Sequence, residues 1–172
     1  MKWCRYQQGD TASFGIIESD TGEGDTVVEV SGSPFASFTK TSNSQPLSSV
    51  KLLPPVIPSN FYAAGINYRE HIIEMAQKRG EEPFFPPNAD VGYRSNNALT
   101  GQDDPIIVPK DATELLQYEG ELVAVIGKKA KTLSEDEALD CVLGYTIGND
   151  VSERTWQRTD RTMWRAKNTD TF

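Results

Sequence analysis

The stretch QYEGELVAVIG, residues 117–127, does most to constrain the fold. It reads as the longest β-strand of the chain. Successive strand side chains point to opposite faces, so Glu119 and Glu121 share a face with Val123 and Val125. Two carboxylates on a partly buried face repel each other and lose hydration. Three arrangements relieve this: an exposed edge where both face water, a basic partner such as Arg154 or Lys167, or a divalent cation. The spacing alone does not choose among them, because a motif as short as E-x-E recurs by accident.

The other elements are short. SFGIIES and TVVEV read as strands split by the turn-rich DTGEGD. SGSPFASFTKTSNSQPLSS reads as loop. VKLLPPVIPSN is a crossing segment that Pro54, Pro55 and Pro58 keep out of helix. A small N-terminal β domain with its linker is expected over residues 1–57, and a second domain over 58–172. In the second, FYAAGINY predicts a strand ending at Gly65, and NYREHIIEMAQKRG a helix stopped by Gly80. EEPFFPPNADVG predicts loop, PIIVP a strand, SEDEALDCVLG a helix with a Ser134–Glu137 capping box that ends at Gly144, and YTIGND a strand. The last residues, MWRAKNTDTF, end on an aromatic, which either packs or marks a cut from a longer chain.

Net charge is −8, with 17 basic and 25 acidic residues. With no basic stripe to offset it, that balance disfavours nucleic acid and anionic membranes as partners. No run approaches the ~20 apolar residues of a membrane span, and the first fifteen residues lack the apolar core of a secretion signal. Cys4 and Cys141 form neither a C-x-x-C motif nor a disulfide framework, so the expected location is cytoplasmic.

Asp150 follows the strand YTIGN where that strand should exit. Three oxygen donors, Glu119, Glu121 and Asp150, would suit a hard cation, Mg²⁺ before Mn²⁺ or Ca²⁺. Zinc is disfavoured in a chain with one histidine. That residue, His71, has Glu74 three positions later on the predicted helix, the spacing at which a carboxylate can orient an imidazole as general base. An incidental pair on a solvated helix has the same spacing. Residues 149–172 gather Arg154, Gln157, Arg158, Arg161, Arg165 and Lys167, which could receive an anion or form a solvated mixed-charge face. No Gly-rich phosphate loop or G-x-S-x-G elbow is present.

The segments VKLLPPVIPSNFYAAGINYREHIIEM, DDPIIVP, YEGELVAVIGKKAKTLSEDEALDCVLGYTIGNDVSERTWQ and AKNTDTF, in that order and spacing, resemble the fumarylacetoacetate hydrolase family over roughly residues 50–172. The branch most similar is that of short-chain acylpyruvases and 2-hydroxyhepta-2,4-diene-1,7-dioate isomerase-like proteins. The resemblance implies a mostly β (α+β) fold: a distorted roll or barrel of mixed strands, short helices, a small N-terminal β domain and homodimers. It implies Glu119, Glu121 and Asp150 as Mg²⁺ ligands, His71 and Glu74 on a mobile lid, Lys167 as an active-site lysine, and Gln157 on the substrate side. Arg94 stands where that family usually has a lysine, and SERT stands where it usually has SARD, which places Thr155 at a common aspartate position. The family continues past the point matching Phe172, so the C-terminal part of the barrel is expected to be absent from this chain.

The activity implied is Mg-dependent hydrolysis of a C–C bond in a small 2-oxo, acylpyruvate-like acid through a metal-stabilised enolate. Oxaloacetate decarboxylation, or isomerisation or dehydration of a 2-oxo acid, would use the same site. The alternative from another class is a non-catalytic truncated fragment with unpaired strand edges.

Overall fold

The computed structural model describes every residue except 21–23 and 113–114. The architecture is mostly β with a few short helices, in sheets that do not close. Strands β1 (Lys2–Gln8), β2 (Thr11–Asp20), β3 (Gly24–Gly32), β4 (Phe38–Pro46) and β5 (Leu52–Leu53) form an antiparallel sheet ordered β4-β3-β2-β1-β5. Its core is Cys4, Tyr6 and Val27, with Ile17, Leu47, Val50 and Leu52 packed against it. These apolar residues recur at alternate positions, the period a one-sided sheet requires. Gly32 adopts φ +98 at the turn into β4, where a Cβ would collide with the backbone of Ser37 and Phe38, so only glycine fits.

Two polar stretches behave differently from the sequence expectation. β1, over which the sequence suggests no element, pairs along its length with β2 and turns Cys4 and Tyr6 into the core. The expected loop 31–49 contains β4, whose polar side chains suit a sheet edge and whose Thr39 and Thr41 are β-branched. The expected DTGEGD turn lies in part outside the described residues.

Beyond the sheet, β6 (Tyr62–Gly65) pairs with β7 (Asp90–Tyr93), and between them runs α1 (Arg69–Arg79). Gly80 ends α1 in the left-handed conformation, φ 68, as its glycine predicts. β7 takes the end of the expected 81–92 loop. PIIVP forms no strand. Its prolines cannot donate to a ladder, Ile106, Ile107 and Val108 are exposed, and the Ile107 N–H goes to the Thr171 hydroxyl.

The strand expected over 117–127 is broken. β8 (Leu116–Gln117) pairs with β11 (Ser152–Glu153), whereas β9 (Gly120–Ile126) pairs with β10 (Val142–Asn149). Tyr118 and Glu119 lie at the changeover. Between β9 and β10, α2 (Glu135–Ala138) carries the predicted capping box, with the Ser134 N–H and hydroxyl both donating to Glu137. The helical segment ends at Cys141, earlier than predicted, because Val142 already pairs with Ile126 and Gly144 sits at a β-bulge. On the β9–β10 pair, Glu121, Val123 and Val125 face the half-buried side, and Leu122, Tyr145 and Ile147 face out. Two further turns of helix, α3 (Arg154–Gln157) and α4 (Trp164–Lys167), follow β11, and Phe172 is buried.

Candidate active site

The β9–β10 register sets Glu119 and Asp150 side by side. Gly120 pairs with Asn149, so the next residue outward on each side is Glu119 or Asp150. The Asp150 N–H donates to the Glu119 carbonyl at 2.9 Å, and the Glu119 N–H to Asn149 Oδ1 at 3.1 Å. Both carboxylates then turn to the same cation. Lys167 Nζ donates to Glu119 Oε2 at 2.7 Å and to Asp150 Oδ2 at 2.9 Å, and its side chain is only 4% exposed. An ammonium this buried needs such partners, since an unpaired charge would lose its hydration for nothing.

Two arginines complete the cluster. Arg94 grips Asp150 with both arms of its fork, Nε to Oδ1 at 2.7 Å and Nη2 to Oδ2 at 2.6 Å. Arg154 Nη1 pairs with Glu119 Oε1 at 2.6 Å and donates to Gln157 Oε1 at 2.9 Å, while its Nε donates to Gln117. Of the three ways to relieve the E-x-E repulsion, the structure realises the second for Glu119, with both basic partners named from the sequence. Glu119 precedes β9, so the two glutamates do not belong to one strand. Glu121 stays on the half-buried face of β9 opposite Gly148, where a Cβ would meet Val123 Cγ2 at 2.8 Å.

Burial alone would raise the Asp150 pKa; the Arg94 and Lys167 hydrogen bonds and charges outweigh it and hold the carboxyl below its usual value of 3.8. A depressed folded-state pKa contributes stability that is full above the unfolded-state value, about 3.9, and is lost as pH falls through the folded one. The stability gap between wild type and Asp150→Asn is therefore expected to hold from pH 6 to about pH 4 and to narrow below that, measured by urea denaturation. A gap that stays constant or widens in acid would contradict the ion-paired state of Asp150.

A divalent ion is implied by the resemblance noted above. The donor set is all oxygen, which suits a hard cation in donor chemistry, but only Glu119 and Asp150 converge, they do so on the Lys167 ammonium, and Glu121 is not grouped with them. Among the described residues, no three acidic, His or Cys side chains are grouped as a complete centre. His71 lies on α1, 61% exposed, with Nδ1 4.0 Å from Glu74 Oε2, beyond hydrogen-bond length. Glu74 bonds Lys78 instead, at 2.6 Å, and that lysine is the main reason its carboxyl titrates low. Neither side chain makes an ion pair or hydrogen bond to the Lys167 cluster among the described residues.

Of the remaining basic side chains near the C-terminus, Arg165 stacks 4.0 Å over Trp156 and pairs with Asp111, and Arg158 and Arg161 are exposed. The sequence reading missed Asp160, whose carboxylate accepts the N–H groups of Arg165 and Ala166. Its signal was the D-x-T pattern ahead of a helical turn, which resembles a cap.

The sequence matches the fumarylacetoacetate (FAA) hydrolase C-terminal family over residues 60–172 and the Rv2993c-like N-terminal family over residues 1–55. The chain belongs to the fumarylacetoacetate hydrolase family. It is 37% identical to Protein Rv2993c of Mycobacterium tuberculosis, covering all of this chain and 63% of that protein. It is 40% identical to oxaloacetate tautomerase YisK of Bacillus subtilis over 73% of this chain and 41% of that one. Among solved structures, 5-carboxymethyl-2-hydroxymuconate delta-isomerase from Mycobacterium smegmatis superposes with a TM-score of 0.83 at 36% identity, covering 99% of this chain and 63% of its own. The chain thus spans less than two thirds of the length of these relatives. No helix among the described residues is long and apolar enough to cross a membrane.

Proposed function

We propose that the full protein is an enzyme that hydrolyses a C–C bond in a small 2-oxo, acylpyruvate-like acid through an enolate, as a homodimer. The observation that carries this reading is the buried Lys167 ammonium, gathered with Arg94 and Arg154 at one point of a chain whose net charge is −8. An anionic substrate needs a local reversal of the protein's field. Arg94 carries a planar fork of the kind that binds a carboxylate, which a lysine at that position would not; Asp150 holds that fork here, and a substrate carboxylate would have to take its place. Among the described residues the Gln157 amide N–H reaches only the Met163 sulfur, a weak acceptor, which leaves it for a substrate oxygen. Lys167, which donates to Glu119 and Asp150, would turn an N–H to the enolate oxygen as charge develops there. His71, with Glu74 as its orienting partner, takes a proton from the attacking water. A divalent ion held by Glu119, Glu121 and Asp150, Mg²⁺ in preference to Mn²⁺ or Ca²⁺, would supply Lewis-acid polarisation of the oxo acid.

A second reading, tautomerisation or decarboxylation of oxaloacetate, draws on the same enolate and is favoured by the relative named oxaloacetate tautomerase. Assay of the purified protein against acylpyruvates and oxaloacetate, with Mg²⁺ and with EDTA, separates the two. The expected result is Mg²⁺-dependent cleavage of an acylpyruvate. Turnover of oxaloacetate alone selects the second reading, and turnover of neither discards both.

A further inference from the structure

We propose that Asp160 is the positioning residue that sets Lys167, and with it the α3 side chains Arg154 and Gln157, in the candidate active site. This inference rests on the site reading above but not on the identity of the substrate. Asp160 sits in the loop between the two helical turns that carry these groups. Its backbone N–H donates to the Trp156 carbonyl at the end of α3, at 2.9 Å. Its carboxylate faces the other way. Oδ2 accepts the N–H groups of Arg165 and Ala166, at 2.6 and 3.0 Å, within α4. Oδ1 accepts the Thr162 N–H and hydroxyl at 3.3 and 3.2 Å. One residue therefore ties the start of α4 to the end of α3.

The geometry of the loop makes that tie consequential. Met163 takes a left-handed φ of 55, uncommon for a residue with a side chain, so the chain reverses sharply between Asp160 and α4. Helix α4 is only four residues long and has no propensity to hold itself. Ala166 and Lys167 are nonetheless buried, at 0% and 4% exposure. The N–H groups of α4 need acceptors, and Asp160 supplies two of them. The Arg165 guanidinium, stacked 4.0 Å over Trp156, closes the same clamp from outside. Lys167 Nζ can reach Glu119 and Asp150 together only while α4 keeps this position. A displacement of about 1 Å at such a group is enough to cost on the order of 10²-fold in rate.

The test uses two substitutions and two readouts. Asp160→Ala removes both acceptors, whereas Asp160→Asn keeps a carbonyl oxygen for the α4 N–H groups. The first readout is the rate at which an amine-acylating reagent labels Lys167, followed by peptide mass, with exposed Lys40 and Lys78 as internal references. Asp160→Ala is expected to raise Lys167 labelling about tenfold or more relative to those references, and Asp160→Asn to stay within a few-fold of wild type. The second readout, where turnover is measurable, is a fall of kcat on the order of 10²-fold in Asp160→Ala, with rescue by Asp160→Asn. Lys167 labelling that is unchanged in Asp160→Ala overturns the inference. If wild type turns over no 2-oxo acid, the functional reading fails, and labelling still decides the role of Asp160. Should Asp160→Ala not fold, hydrogen exchange in the wild-type protein decides: the Arg165 and Ala166 amides are expected to exchange at least tenfold more slowly than the exposed Arg161 amide, and equal rates would overturn the proposal.

Discussion

Lys167→Met is expected to lower the free energy of unfolding by about 2–3 kcal/mol, read from urea or thermal denaturation. The methionine fills a similar volume but offers nothing to Glu119 Oε2 or Asp150 Oδ2, the two oxygens the ammonium serves at 2.7 and 2.9 Å. Each carboxylate is left short of a donor in a site that water reaches poorly. Orphaning a buried charge outright costs about 3–5 kcal/mol. The expected loss is smaller because Arg94 still holds Asp150 and Arg154 still holds Glu119. The comparison that isolates burial is Lys40→Met. Lys40 also pairs with a glutamate, Glu18, but both side chains are 47% exposed, and the expected cost is below about 1 kcal/mol. Equal losses in the two variants would mean that the Lys167 bridge contributes no more than a surface pair.

That cluster also shows what a sequence can and cannot display. The Gly80 stop and the Ser134–Glu137 box were legible because each is a local signal, satisfied within one helical turn. PIIVP was misleading because apolar, β-branched composition outweighed the lost donors of its prolines. β4 was missed for the opposite reason: an edge strand in contact with water needs no apolar pattern. The break at Tyr118–Glu119 has no local cause. It exists because Gln117 pairs with Ser152 while Gly120 pairs with Asn149, and such partner choices lie 29 or more residues away along the chain. The side chains that gather at the site were individually visible as charged residues. That Arg94 would take Asp150, and Lys167 both carboxylates, depends on contacts 56, 17 and 48 residues apart, which no periodicity encodes.

His71→Ala is expected to separate chemistry from stability in the opposite sense to Lys167→Met. If His71 is the general base, its loss lowers kcat by about 10²–10⁴-fold. The denaturation midpoint should shift by no more than the ~0.5 kcal/mol typical of surface substitutions, because the side chain is 61% exposed. Glu74→Gln tests the orienting role and should cost less than His71→Ala. Glu74 Oε1 is engaged by Lys78 at 2.6 Å, whereas Oε2 stands 4.0 Å from His71, so the carboxylate's hold on the imidazole is the weaker of its two interactions. The pair also predicts where the two variants diverge. Removing the base takes away the group that accepts the proton, and the chain has no second histidine to stand in for it. Removing the orienting carboxylate leaves the base present but less well aimed. A His71→Ala protein with wild-type kcat would remove the base from the scheme and leave proton transfer to a group within the Lys167 cluster itself.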